Sequence, residues 1–223
     1  MIVLNKIKKT FKENNVFENV NFEAKQGDLI AIKGKSGVGK STLLNILAGL
    51  ETPSHGEYYF NNIEMRKKNI SDLSKIRAEY IGYISQFSPM IPKLTALENI
   101  YVPFWFRKNS STDYTNESKI IDELSKKFEV NDILNKKIEK LSGGQIQRVG
   151  IIRALVKNPM IIIADEPTGS LDDNTTLSVI NYFKELKNKG ALIILATHND
   201  SVANHCDKVL ELTRDGLEKR IKY

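Results

Sequence analysis

The run Gly34-Lys35-Ser36-Gly37-Val38-Gly39-Lys40-Ser41-Thr42 constrains this chain more than any other stretch. Gly34 and Gly39, with four residues between them and Lys40-Ser41 following, match the phosphate-binding loop pattern. Before the loop, Leu29-Ile30-Ala31-Ile32 has the continuous apolar character of a buried strand. After it, Ser41 to Ala48 carries apolar residues at helical spacing, closed by Gly49. Strand, loop and helix in that order are the context the motif needs. Glycines let successive backbone N–H groups turn toward phosphate oxygens, and the helix N-terminus adds partial positive charge. The expectation is a nucleoside triphosphate site, with Lys40 at the β- and γ-phosphates and the Ser41 hydroxyl on magnesium.

The rest of the chain supplies the sheet in which such a loop must sit. Val20, Phe22 and Ala24 alternate with polar neighbours, so residues 1–28 are expected to form antiparallel strands. A turn at Pro53–Gly56 leads to a short strand, Glu57–Phe60. A helix over Ser71–Glu79 precedes a strand over Tyr80–Ser85, with Gln86 at its exit. Residues 87–159 change character to helices and loops. They hold a capping box at Thr95 and Glu98, a polar loop over Asn109–Asn116, a helix over Lys119–Phe128 and another from Ser142 to Lys157. Apolar strands resume at Met160–Ala164 and Ala191–Ala196, around a helix over Asn174–Lys189 that turns Leu177, Ile180, Phe183 and Leu186 inward. This alternation predicts an α/β fold with a mainly parallel, doubly wound sheet. Residues 1–86 and 160–223 would form the core with an N-terminal antiparallel β subdomain, and 87–159 an inserted helical subdomain.

Composition narrows the class. The 223 residues suffice for one sizeable α/β domain with a subdomain but are short for two nucleotide-binding domains. The net charge of +6 comes from scattered lysines rather than one basic helix face, which reads as solvated surface and leaves room only for weak attraction to anionic lipid or nucleic acid; no nucleic-acid partner is expected. Cys206 stands alone, which points to a reducing cytosol. Met1–Lys6 lacks a secretory-leader pattern, and no run of about eighteen apolar residues marks a membrane span.

Ligands of doubly wound sheets bind beyond the carboxyl ends of the strands. The phosphate loop, Gln86, Asp165-Glu166 and His198 all follow predicted strands at that end. Two carboxylates can merely end a strand, but beside a phosphate loop Asp165 is a magnesium ligand and Glu166 a general base for water. A single histidine such as His198 is more often a surface or capping residue than a catalytic one; the alternative is a ring whose polar edge bonds the γ-phosphate and the Glu166 carboxylate. Gln86 has the same two readings, a surface residue or a neutral group that ligates magnesium and holds water. Leu141-Ser142-Gly143-Gly144-Gln145 contains a capping box with room for a turn, and equally a second helix-terminal anion site. One nucleotide does not need two phosphate cradles in one chain, so two chains sharing two nucleotides are expected.

These motifs resemble, in order and over essentially the whole chain, the ATP-binding subunit of ABC (ATP-binding cassette) transporters. The matches are the Walker A loop Gly34–Thr42, the Q-loop Gln86, the signature Leu141–Gln145, the Walker B stretch Ile161–Glu166, the D-loop Ser170-Leu171-Asp172 and the switch His198. The resemblance implies a P-loop NTPase that hydrolyses ATP with Mg2+ as a homodimer. ATP would lie between Walker A of one copy and Ser142, Gly143, Gly144 and Gln145 of the other, with Asp172 at the dimer contact. It also implies that Phe11 stacks on adenine; packing within a strand is the alternative for this side chain. Integral-membrane permease subunits would hold the chain at the inner face of the cell membrane, on the cytoplasmic side. Leu94–Asn99 and Glu166–Asp172 look like the branch serving macrolide-exporter and lipoprotein-releasing systems, implying export of a peptide, lipid-linked or drug-like compound. A mechanical or regulatory ATPase that moves no substrate would carry the same nucleotide site. Lys35, Ile146 and Gly150 depart from the family's usual Pro, Gln or Glu, and Ala; Gly150 should weaken its helix by roughly 0.5–1 kcal/mol. The patch Tyr101–Phe106 is read either as core or as part of a groove for a short helix of the permease.

Overall fold

A computed structural model describes residues 1–87, 89–106 and 114–219. Strands β1 (Ile2–Phe11) and β2 (Asn14–Ala24) pair antiparallel, with Ile2 opposite Ala24. β3 (Leu29–Lys33) passes through the glycine loop into α1 (Lys40–Leu47). β4 (His55–Phe60) and β5 (Ile63–Glu64) then complete a four-stranded antiparallel sheet in the order β2-β1-β4-β5. Next come α2 (Ile70–Tyr80), β6 (Ile81–Ile84), α3 (Ala96–Trp105), α4 (Tyr114–Lys127) and α5 (Gly143–Leu155). The chain ends with β7 (Ile161–Asp165), α6 (Asp173–Asn188), β8 (Leu192–Ala196), α7 (Asp200–Asn204), β9 (Lys208–Leu212) and β10 (Leu217–Lys219). The second sheet runs β10-β9-β3-β8-β7-β6, parallel throughout except at the β9–β10 edge. The α/β class and the mainly parallel sheet agree with expectation.

All five residues of β3, β7 and β8 are buried, because both faces of the sheet are covered. Leu29 and Ala31 of β3, Ile162 and Ala164 of β7, and Ile193 and Leu195 of β8 enter a core shared with α3 to α7. Their alternates, Ile30, Ile32, Ile161, Ile163, Leu192 and Ile194, enter a second core with α1 and the antiparallel sheet. The period of two along each strand thus fills two different cores.

Some local expectations change. Leu177 is 44 % exposed, while Val179 takes a buried place beside Ile180, Phe183 and Leu186. None of residues 171–178 is buried, so the start of α6 stands clear of the core and apolar spacing there has nothing to face. Tyr114 to Asn116 belong to α4 rather than to a loop, with Glu117 in the first turn, where an acidic side chain complements the helix dipole. The rest of that expected loop, 109–113, lies outside the described residues. The patch Tyr101–Phe106 divides. Phe104 is buried, whereas Trp105 and Phe106 are 58 % and 72 % exposed. No element had been expected beyond His198, yet β9 is the parallel neighbour of β3; Lys208 and Glu211 are two of its five residues and leave no continuous apolar run.

The capping boxes at Thr95/Glu98 and Ser142/Gln145 both form, and α5 runs unbroken through Gly150. Replacing Ile180 with Ala should cost about 2–5 kcal/mol in urea unfolding. Leu177→Ala should cost under about 1 kcal/mol, and equal losses would contradict the observed phase of α6.

Candidate active site

Each central strand ends on one edge of the sheet and delivers polar groups there. After β3 the chain turns through Gly34, Gly37 and Gly39 with φ of 150°, 78° and 106°. A Cβ at Gly34 would lie 2.6 Å from the Leu212 carbonyl oxygen, and one at Gly39 2.5 Å from Val16 Cγ1. Strands β9 and β2 therefore close on the loop from outside, and only glycine fits. Helix α1 starts without a side-chain cap, which leaves its first N–H groups to an anion. The Lys40 ammonium crosses the loop to the carbonyl oxygens of Gly34 (2.9 Å) and Lys35 (3.2 Å), and its third hydrogen can meet a phosphate.

Strand β7 ends in Asp165, which is buried; burial raises its carboxyl above the usual carboxylate range, opposed by the Ser41 hydroxyl and then by the Lys40 ammonium, while Glu166 adds to the rise. Glu166 has φ of 47°, a left-handed conformation that persists only where neighbours hold it. They do so on three sides. Its N–H donates to the Ala196 carbonyl (3.0 Å), its carbonyl accepts from Gln147 Nε2 (3.0 Å), and its Oε1 accepts from the His198 N–H (3.0 Å). His198 Nδ1 lies 2.8 Å from the same Oε1. A carboxylate only accepts, so Nδ1 carries the ring hydrogen in this contact.

These groups line one cavity of about 580 Å³. Its walls are Gly34, Ser36, Gly37, Gly39, Lys40, Ser41 and Thr42 from the loop, with Phe11, Val16, Gln86, Asp165, Glu166 and His198 around them. Lys35 and Val38 belong to the loop but line a neighbouring cavity with residues 211–214. Ser142, Gly143, Gly144, Gln145 and Asp172 do not line the first cavity. Ser142 and Gln145 cap α5 reciprocally, and the Asp172 carboxylate caps α6 through Thr175 N (2.9 Å) and Thr175 Oγ1 (2.8 Å). The two signature glycines differ. A Cβ on Gly144 would sit 2.9 Å from the Ser170 carbonyl oxygen, whereas one on Gly143 would meet nothing within 4 Å.

Among the described residues, no group of three or more His, Cys, Asp or Glu could hold a metal alone. Magnesium does not require one, since it binds through one or two protein oxygens together with water and phosphate. Ser41, Gln86 and Asp165 offer hard oxygen donors on the wall of one cavity and fit that pattern.

Two residues had escaped notice. Val16 was hidden in the N-terminal strands. Gln147 is 3 % exposed and bridges the Glu166 carbonyl to the Ser170 N–H (2.9 Å), tying α5 to the loop after β7. A buried glutamine within an apolar helix face was the available signal.

Residues 17–169 match the ABC transporter family, and the chain belongs to it. The ABC transporter ATP-binding protein MJ0796 of Methanocaldococcus jannaschii is 38% identical over 228 residues, covering 100% of this chain and 97% of that protein. The lipoprotein-releasing system ATP-binding protein LolD of Ehrlichia canis is 39% identical over 219 residues, covering 95% of each. The macrolide export ATP-binding/permease protein MacB of Campylobacter jejuni is 38% identical over 217 residues, which are 97% of this chain and 33% of that one. A solved dimer of the MJ0796 cassette in a post-hydrolysis state, bound to ADP and Pi, superposes with a TM-score of 0.93 at 36% identity and full coverage of both chains. The chain is thus an ABC-type ATP-binding cassette and an ATP hydrolase. Among the described residues, no helix is long and apolar enough to cross a membrane.

Gln147→Leu removes the Gln147 Oε1 acceptor from the Ser170 N–H and leaves the Glu166 carbonyl with the Gly169 N–H alone (3.2 Å). It should lower stability by about 0.5–1.5 kcal/mol; an unchanged urea midpoint would remove Gln147 from the support of this site.

Proposed function

We propose that this chain is the ATPase subunit of a membrane exporter that works as a pair of copies, driving separate permease subunits. The observation that carries the reading is the asymmetry just described. One cavity gathers the phosphate loop, Asp165, Glu166 and His198, while a second glycine-bearing helix start, Ser142–Gln145, stands outside it. Packing accounts for Gly144, whereas among the described residues no neighbour lies within 4 Å of a Cβ on Gly143. An approach by the nucleotide of a second copy accounts for Gly143. The dimeric relative bound to ADP and Pi supports this arrangement.

In this reading the loop N–H groups and Lys40 hold the β- and γ-phosphates, and Phe11 stacks on the base. Ser41, Gln86 and Asp165 would hold Mg2+, which supplies charge neutralisation at the phosphates when bound. Glu166 takes the proton of the attacking water, its carboxylate aimed by the two His198 contacts. A γ-phosphate oxygen accepts, so His198 Nε2 must carry hydrogen to bond it. The ring is then either an imidazolium still bonded to Glu166 or the other tautomer released from it. Asp172 joins the dimer contact by the backbone that its cap shapes.

Residues 87–159 form the subdomain that faces the permease. Between α2–β6 and α3–α5 lies a cavity of about 370 Å³, lined among others by Val102, Pro103 and Phe106 and by the basic Arg77 and Lys157. Exposed Phe106 and Trp105 beside it support its reading as the seat of a short cytoplasmic helix of the permease. The chain would then work at the cytoplasmic face of the membrane. Relatives serving lipoprotein release and macrolide export support a peptide, lipid-linked or drug-like cargo.

Glu166→Gln should bind ATP with unchanged affinity, accumulate as a dimer, and turn over roughly 10²–10⁴-fold more slowly. Near-normal turnover would sink the general-base assignment. Gly143→Ala should leave the urea midpoint within about 0.5 kcal/mol of wild type and abolish the steeper-than-linear rise of ATPase rate with protein concentration. Retention of that rise would argue against a site completed in trans.

A further inference from the structure

The Lys9 ammonium lies 4.5 Å from the centroid of the Phe11 ring. The two residues are two apart on β1 and meet on one face of the strand. Lys9 is 7 % exposed, an unusual position for a lysine. Its Nζ donates to Glu51 Oε1 (2.7 Å) and to the Thr52 carbonyl oxygen (2.8 Å). Glu51 and Thr52 follow the C-terminal end of α1, the helix whose first residue is Lys40 of the phosphate loop. Phe11, by contrast, is 45 % exposed and lines the loop's cavity.

We infer that Lys9 is a positioning residue for the nucleotide base: it clamps the inner face of the Phe11 ring and leaves the outer face to the purine. This rests on the reading of Phe11 as the base-stacking side chain.

An aromatic ring at a strand end has two side-chain torsions to fix, and a ring left free must lose that freedom when the base arrives. A cation over its inner face fixes the ring beforehand. The ammonium is largely withdrawn from water, which strengthens its attraction to the negative ring face. That same attraction draws π charge away from the outer face, where another aromatic face would otherwise meet like charge. The anchor also sets a distance. Lys9 is bound at one end of α1 and the triphosphate at the other, so one rigid helix fixes the spacing between the base platform and the phosphate loop. Stacking reads a π-face and no base edge. Lys9 therefore raises affinity for purine nucleotides generally and does not choose between adenine and guanine.

The test compares wild type, Phe11→Ala, Lys9→Met and the double variant in calorimetric titrations with ATP, GTP and inorganic tripolyphosphate, the last being a probe without a base. Phe11→Ala should weaken ATP roughly tenfold, and Lys9→Met roughly two- to five-fold, with equal losses for GTP. Neither should change tripolyphosphate affinity, which also certifies a folded loop. The double variant should match Phe11→Ala, and Lys9→Arg, which keeps the cation, should restore ATP affinity. If Phe11→Ala weakens ATP and Lys9→Met does not, the positioning role falls and base stacking stands. If Phe11→Ala itself changes nothing, both readings fall. A tripolyphosphate loss in Lys9→Met equal to its ATP loss would make Lys9 a support of the fold and overturn the inference.

Discussion

Burial of both sheet faces governs the rest of this molecule. Strands β3, β7 and β8 have no side chain that reaches solvent between their ends, because one face packs on α1 and the antiparallel sheet and the other on helices. A polar side chain along such a strand would be desolvated without a partner. Chemistry is therefore expelled to the carboxyl ends. Gly34, Asp165-Glu166 and His198 stand one or two residues beyond the last apolar position of their strands. Convergence of the site follows from strand register, since Ala164 pairs with Leu195 and Ile32 with Ala196.

The same economy shows in the loops. The phosphate loop keeps its shape because β9 and β2 approach too closely for any Cβ at Gly34 or Gly39. Glu166 holds a left-handed backbone because Ala196, Gln147 and His198 each engage a different part of it. Strain of this kind is tolerated where several neighbours over-determine one conformation. At Glu166 the result is a carboxylate with a fixed direction at the edge of the cavity, the geometry that the proposed general base would use.

Much of this was legible beforehand. Continuous apolar runs marked β3, β7 and β8, and glycine spacing marked the loop, because both signals are local and periodic. Legibility failed where local pattern met no partner. Leu177 has the spacing of a core residue but lies in a turn that stands off the sheet. β9 has too few apolar residues to announce itself and is recruited by its neighbour β3. For Tyr101–Phe106 the pattern left core and groove both open, and only the structure separates buried Phe104 from exposed Trp105 and Phe106.

The sequence by itself determined the parallel α/β framework, the loop that must cradle phosphate, and the identities of Gln86, Asp165, Glu166 and His198 as its companions. Backbone propensity, burial period and the chemistry of a few side chains suffice for these. Only the tertiary structure decided which groups touch. The Glu166–His198 contact spans 32 positions in the chain, Gln147 meets Ser170 across 23, and Lys9 reaches Glu51 across 42. Such contacts leave no periodic trace, because their geometry arises when separate elements dock on a common core.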